Sequence, residues 1–250
     1  MTPRILVIAG SDSGGGAGIQ ADIKTITMLG GHAMTAITAI TAQNTLGVQA
    51  VHAVPSDMVV AQIRSCINDI GADAVKIGMI GSAETAHAVA DVLAGLSVPI
   101  VFDPVMIATS GSVLADTATI AAFARLMAIA TVVTPNIPEL AALGGEASVL
   151  AHGCYLIAKG GHSEGPTVVD RLISPAGPVR TVDGERIETA HTHGTGCTLA
   201  SAIACGLGAG LPIEAAFVRA VSFVRAAILA APGLGKGHGP LGQQAVENWA

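Results

Sequence analysis

The stretch Ile5-Leu6-Val7-Ile8-Ala9-Gly10-Ser11-Asp12-Ser13-Gly14-Gly15-Gly16-Ala17-Gly18, running on to Leu29, decides the fold. Five consecutive apolar residues with no polar alternation read as a strand buried on both faces. The glycines stop that strand, and helical spacing from Ala17 to Leu29 starts a helix. The same order returns at Ala74–Ile77 and Ser82–Ala94. Such alternation is the signature of βαβ units around a parallel sheet. Apolar runs at Pro99–Phe102, Thr131–Thr134 and Tyr155–Ala158 are short enough to be further buried strands. Ala33–Gln43 mixes alanine with threonine and isoleucine and reads as a strand through its β-branched positions. Thr198–Leu207 and Ile213–Ala230 read as consecutive helices, separated by Gly208, Gly210 and Pro212. In parallel sheets ligands sit at the carboxyl ends of the strands, so residues closing these runs are the site candidates.

With 250 residues, 51% of them hydrophobic, the chain can bury a large core, and one α/β domain over residues 1–250 is expected. A net charge of −6 leaves no cationic surplus for a phosphate backbone, and four Phe, one Tyr and one Trp offer few stacking platforms. A nucleic-acid partner is therefore not expected. Glycine supplies 31 of the 250 residues, above the usual ~7%, which suits tight turns and close backbone approach to a ligand. Cys66, Cys154, Cys197 and Cys205 form no CxxC pair, and no signal peptide precedes the first strand, so a reducing cytoplasm is expected. Met28–Ser56 and Thr189–Ile213 lack formal charge but carry His, Thr and Gly, and neither reads as a membrane span. No HExxH or similar pair appears among the eight histidines, and no structural zinc is expected.

Several short motifs can carry chemistry, and each also has a purely structural reading. The turn Gly10–Gly18 can free amides for a ligand or simply join strand to helix; it fits neither G-x-G-x-x-G nor a Walker A loop. Gly194-Thr195-Gly196 before Cys197 directs unpaired N–H groups and a positive dipole end at one point, suited to a phosphoryl group. Cys197 in that first turn, where the dipole lowers a thiol pKa from about 8.5, could act as a base, or could be a small buried residue after a Thr195 cap. Asn136 and Glu139 form a capping box around Pro138, or organise Mg²⁺ near phosphates. Lys159 contacts phosphate from a strand end, or snorkels at the surface. Asp103 binds metal or accepts a proton, or stabilises a turn. The amide of Gln43 matches the donor and acceptor edge of an aminopyrimidine, or is a solvated loop side chain.

Together AGSDSGGGAGIQAD, TAQNTLGV, KIGMIGS, FDPVM, TPNIPE, KGGH, HGTGC and GKGHGP, spanning Ala9 to Pro240, resemble the ribokinase superfamily and specifically the hydroxymethylpyrimidine/phosphomethylpyrimidine kinase family. HGTGC discriminates, because most sugar and nucleoside kinases of the superfamily have aspartate where this chain has Cys197. The resemblance implies a ribokinase-like three-layer α/β/α fold with a central, mainly parallel sheet. It implies ATP-dependent phosphorylation of 4-amino-5-hydroxymethyl-2-methylpyrimidine, and then of its monophosphate, in thiamine biosynthesis. Under it Gln43, Gly10 and Met79 bind the pyrimidine, and Cys197 and Lys159 are catalytic. Gly194, Thr195, Gly196 and Asn136 bind ATP phosphates, while Glu139 and Asp103 hold Mg²⁺. Pyridoxal kinase is the near rival, and a non-catalytic pyrimidine sensor the distant one. A small-molecule substrate and a homodimer are the expected partners. One departure stands out: only the nineteen residues 140–158 separate Glu139 from Lys159, too few for the additional helix usual there, and Gly144, Gly145 and Gly153 imply a tight connection.

Overall fold

The computed structural model describes residues 1–108, 111–161 and 163–246. Nine strands form one sheet: β1 (Arg4–Asp12), β2 (His32–Asn44), β3 (Gly47–Ala53), β4 (Ala74–Ile77), β5 (Ile100–Phe102), β6 (Val132–Val133), β7 (Tyr155–Ala158), β8 (Thr167–Ser174) and β9 (Gly177–Glu185). Their order is β3-β2-β1-β4-β5-β6-β7-β8-β9. The six strands from β2 to β7 pair in parallel, while β3, β8 and β9 are antiparallel additions at the two edges. Helices α1 (Gly18–Met28), α7 (Thr195–Gly208) and α8 (Ile213–Leu229) cover one face. Helices α2 (Ser56–Asp69), α3 (Ala83–Leu93) and α4 (Thr117–Met127) cover the other, joined by the short α5 (Ile137–Ala142) and α6 (Glu146–Leu150). This is the three-layer α/β/α arrangement expected from the alternation.

The parallel part of the sheet is apolar on both sides, and each of its six strands divides its side chains between the two helical layers. In β1, Ile5, Val7 and Ala9 pack with α1, α7 and α8, whereas Leu6 and Ile8 face the α2–α4 layer. In β5, Val101 takes the first side and Ile100 and Phe102 the second. Unbroken apolar runs are what two-sided burial requires. β4 obeys the same alternation with one exception: Lys76 stands, fully buried, where an apolar residue on the α1/α7 side would be ordinary. Among the described residues no helix is long and apolar enough to cross a membrane.

Ser82 caps α3 by accepting from the Thr85 amide, and Asn136 and Glu139 form the reciprocal capping box of α5. The tight connection from Glu139 to Lys159 corrects one expectation. It does hold an additional helix, the five-residue α6, made possible by left-handed backbone at Gly144, Gly145 and Gly153, with φ between 83° and 87°. Val149 of α6 is buried against the sheet, so that flank is closed. The edge strand β3 and the β8–β9 hairpin escaped the sequence reading because their residues are largely exposed and lack an apolar run.

Phe102 ties β5 to α4 through an edge-on contact with Phe123, centroids 5.1 Å apart at 83°. Both rings are essentially inaccessible to water. Replacing Phe123 with Ala should lower the unfolding free energy by about 3–5 kcal/mol, as truncating a buried aromatic does. Urea denaturation followed by circular dichroism checks this, and a loss below about 1 kcal/mol would mean that the contact is dispensable.

Candidate active site

A cavity of about 850 Å³ opens at the carboxyl ends of the parallel strands. Gly10, Gln43, Met79, Asp103, Asn136, Glu139, Lys159, Gly194, Thr195, Gly196 and Cys197, all singled out by the sequence, line it together. Each is placed by the strand it follows. Gln43 is the last residue but one of β2, β1 bulges at Gly10, and Met79 follows β4. Asp103 follows β5, and Asn136 and Lys159 follow β6 and β7, bridged to each other in parallel. His162, the last residue of the KGGH motif, lies outside the described residues.

The turn from Ser11 to Gly18 is organised by Asp12. Its carboxylate accepts from the amides of Gly14 (2.8 Å), Gly16 (3.0 Å) and Ala17 (2.9 Å), and from His193 Nε2 (2.9 Å). Burial alone would raise its pKa, but the hydrogen bonds from His193 and the backbone outweigh it and hold the carboxyl below its ordinary value. Because His193 Nε2 carries the proton donated to this carboxylate, it has no lone pair for Gln43 Nε2, which lies 3.3 Å away. The amide donors of Gln43 therefore stay free for a ligand, while Oε1 rests 3.1 Å from Thr41 Oγ1. Gly10 faces Met79 so closely that a Cβ there would stand 3.0 Å from the Met79 sulfur. The late GKGHGP motif closes this end: Lys236 and Gly237 donate backbone N–H to Thr45 Oγ1, and Pro240 bridges to His193.

At the other end, Lys159 Nζ donates to Asp103 Oδ1 (2.8 Å) and lies 4.0 Å from Glu139 Oε2. Thr134 Oγ1 also donates to Asp103 Oδ1 (3.0 Å). Burial opposes the Lys159 charge, but Asp103 and Glu139 outweigh it and raise its pKa. Burial raises the Glu139 pKa, against the pull of Lys159. Glu139 Oε2 accepts from the Asn136 amide, so the capping box and the cavity-facing carboxylate are the same group. The loop after Lys159 is fixed by Asp170, which accepts from the Gly160 amide at 2.8 Å.

Helix α7 begins between these ends. Gly194 is its N-cap in left-handed backbone, φ 92°, so the positive end of a fourteen-residue helix meets the cavity, which Thr195, Gly196 and Cys197 line; the Thr195 N–H is itself donated to the Thr192 carbonyl at 3.3 Å. Thr195 is the first helical residue and supplies no cap. Cys197 is where the sequence placed it, but its acidity is not as expected. Surrounding protein desolvates the thiol and pushes its pKa up to about 11, against the opposing pull of the Lys76 ammonium. Desolvation wins over the helix dipole, which is worth only about 0.3–2 kcal/mol. Asp12, His193, Lys76 and Asp22 were not singled out by sequence reasoning. For Lys76 the signal was present, a lysine inside an apolar parallel strand; for Asp12 and His193 it was not, since their partnership spans 181 residues.

The matched family is phosphomethylpyrimidine kinase, over residues 12–242. The chain is 46% identical to a hydroxymethylpyrimidine/phosphomethylpyrimidine kinase of Streptomyces coelicolor, covering 96% of this chain and 93% of that one. It is 44% identical to a thiamine biosynthesis bifunctional protein of Geobacter sulfurreducens, covering 95% of this chain and 51% of that longer one. An ADP complex of Bacillus subtilis pyridoxal kinase is similar in fold, with a TM-score of 0.89 and 31% identity over 98% of each chain.

At Gly194 a Cβ would stand 1.9 Å from the Gly16 carbonyl oxygen, in backbone that L side chains rarely adopt. Gly194→Ala should push the glycine turn away from α7. The expected result is a stability loss above about 1 kcal/mol by thermal melting and a kcat/KM lower by tenfold or more, on the order of what a 1 Å misplacement costs. Unchanged kinetics would show that this contact does not shape the site.

Proposed function

The chain belongs to the hydroxymethylpyrimidine/phosphomethylpyrimidine kinase family, and on that premise we propose how its cavity performs the family reaction. It is a kinase of thiamine biosynthesis, which phosphorylates 4-amino-5-hydroxymethyl-2-methylpyrimidine and then the monophosphate, with ATP as donor. The observation carrying the roles is one cavity with Gln43, Gly10 and Met79 toward its β2 side, and Lys159, Asn136 and Glu139 toward its β7 side. The α7 N-terminus lies against the same cavity.

Gln43 reads the aminopyrimidine, Oε1 accepting from the exocyclic amine and Nε2 donating to the ring nitrogen. Gly10 and Met79 line the pocket of the ring. The hydroxymethyl oxygen is held between Cys197 and the γ-phosphate of ATP. Gly194, Thr195 and Gly196, at the positive end of α7, face the transferring phosphoryl group, with the Gly194 and Gly196 amides as donors, and Lys159 and Asn136 contact its oxygens. A loose phosphoryl transition state needs positioning and charge stabilisation more than covalent help. Asp103 and Glu139 are hard oxygen donors suited to Mg²⁺, and among the described residues no cluster of three or more His, Cys, Asp or Glu forms a protein cage. That suits an ion which completes its shell with water and phosphate oxygens. When bound, it neutralises phosphate charge.

Cys197 takes the hydroxyl proton. With the thiol pKa at about 11, the thiolate fraction rises tenfold per pH unit below that value. Thus kcat/KM should climb between about pH 8 and 10, and Cys197→Ala should lose both this climb and on the order of 10²–10⁴ in rate, with pyrimidine affinity within a few fold. Near-normal turnover of the variant would remove Cys197 as base.

A second reading, pyridoxal phosphorylation at the same site, is favoured by the 0.89 TM-score to a pyridoxal kinase. Gln43 separates the two. Gln43→Leu leaves the aminopyrimidine edge unpaired in a desolvated pocket, costing roughly 1–3 kcal/mol, about five- to more than a hundredfold in affinity. Pyridoxal has no exocyclic amine, so its kcat/KM should fall less; equal losses for both substrates would contradict recognition by Gln43.

The four free thiols fit a reducing compartment, and the cytoplasm is the location proposed. A homodimer is the proposed assembly, supported by exposed Ile40, Leu46 and Val51 on the β2–β3 edge.

A further inference from the structure

Lys76 and Asp22 form a fully buried ion pair that binding and phosphoryl transfer, as described, leave unused. Lys76 Nζ donates to both Asp22 oxygens at 2.9 Å, and neither side chain has any exposed surface. Asp22 Oδ1 also accepts from Ser201 Oγ at 2.6 Å. Ser201 follows Cys197 by four residues on α7, which puts the two side chains on one face of the helix, one turn apart. Lys76 lines the same cavity as Cys197, on the α1/α7 side of β4. Its ammonium sits so close to the backbone turn after the strand that a Cβ on Gly78 would meet it at 2.7 Å. The pair is thus held from three elements, β4, α1 and α7, with its α7 contact one helical turn along from the thiol.

A buried ion pair is weak evidence for stability, because apolar residues of similar volume often serve a core as well or better. Its presence inside an otherwise apolar strand asks for another reason. We infer that Lys76 is a positioning residue of the phosphoryl transfer, a fixed cation whose field stabilises negative charge on the Cys197 sulfur, with Asp22 and Ser201 holding it in place. This rests on the reading of Cys197 as the base and supplies what that reading lacks, a source of thiolate in a desolvated pocket.

The charged groups facing Cys197 are Lys76 from β4, Asp22 from α1, Asp103 after β5 and Lys159 after β7. Desolvation is the largest influence on the thiol and raises its pKa. Lys76 is the next largest and lowers it, ahead of the opposing Asp22 and Asp103. Lys76 itself stays charged: burial alone would discharge it, but Asp22, Cys197 and Asp103 hold its pKa well above the ordinary value. Removing the cation should therefore raise the thiol pKa, and removing the Asp22 charge should lower it. A purely structural pair would give two variants that differ only in stability.

The experiment measures the pH midpoint for iodoacetamide alkylation of Cys197, read by mass spectrometry of its peptide, together with the pH profile of kcat/KM. Lys76→Met should move the midpoint up, slowing alkylation at a fixed pH of about 9 by roughly tenfold or more, and should lower kcat/KM at neutral pH by a similar factor, with KM for the pyrimidine within a few fold. Asp22→Asn should move the midpoint down. If Lys76→Met does not fold, Lys76→Met/Asp22→Leu leaves no buried charge unpaired, and its midpoint should lie above that of Asp22→Asn, because only the latter keeps the cation. A midpoint unchanged by Lys76→Met, equal in the double variant and Asp22→Asn, or moved the same way by Asp22→Asn as by Lys76→Met, overturns the inference. The midpoint reports on the thiol whether or not it is the base, so failure of the base assignment appears separately, as turnover retained by Cys197→Ala.

Discussion

The carboxylate of Asp12 is the interaction on which the site depends. It ends the first strand, gathers three amides of the glycine turn and receives the proton of His193 from the far end of the chain. One buried anion thereby fixes the turn, sets the tautomer of a histidine and leaves the Gln43 amide with donors for a ligand. The close approach of Gly16 and Gly194 follows from the same gathering, since the carbonyl of one occupies the space a side chain on the other would need. Charge-assisted hydrogen bonds of this kind are shorter and stronger than neutral ones, which suits a turn that otherwise has only glycine backbone to hold it.

Around that anchor, the sheet distributes three buried charge clusters along its carboxyl edge. Asp12 with His193 lies at β1, Lys76 with Asp22 at β4, and Lys159 with Asp103 and Glu139 at β5 to β7. Lys76 is paired with Asp22 and Lys159 with Asp103, while the Asp12 carboxylate is satisfied by the His193 ring and three backbone amides. Cys197 sits at the helix terminus among them, and its acidity reflects this competition. Burial sets the dominant direction, neighbouring cations oppose it and neighbouring carboxylates support it. The expectation of a lowered thiol pKa failed because it considered the helix dipole alone, a short-range and modest influence beside the desolvation of the thiol by the surrounding protein.

Some residues cap a helix and line the cavity at once. Asn136 and Glu139 do cap α5 through reciprocal hydrogen bonds, and Glu139 also faces Lys159 in the cavity. The local and the functional interpretations are the same atoms seen from two sides. The tight Glu139–Lys159 connection shows the opposite case: glycines that looked like a bare turn make room for α6, because left-handed backbone at Gly144 and Gly145 starts a second helix directly after the first.

The sequence alone determined the layered α/β fold, because two-sided burial of parallel strands writes itself as unbroken apolar runs such as Ile5–Ala9. It also indicated residues that line the cavity, since those closing the runs must gather at one edge of a parallel sheet. Only the tertiary structure decided how these residues act on one another. The Asp12–His193 pair, the Lys76–Asp22–Ser201 chain and the GKGHGP closure over Thr45 join positions from 54 to 192 residues apart. No local spacing encodes such partners. Charge states depend on them too, because a pKa is set by desolvation and nearby charge, and both arise only once distant segments pack together.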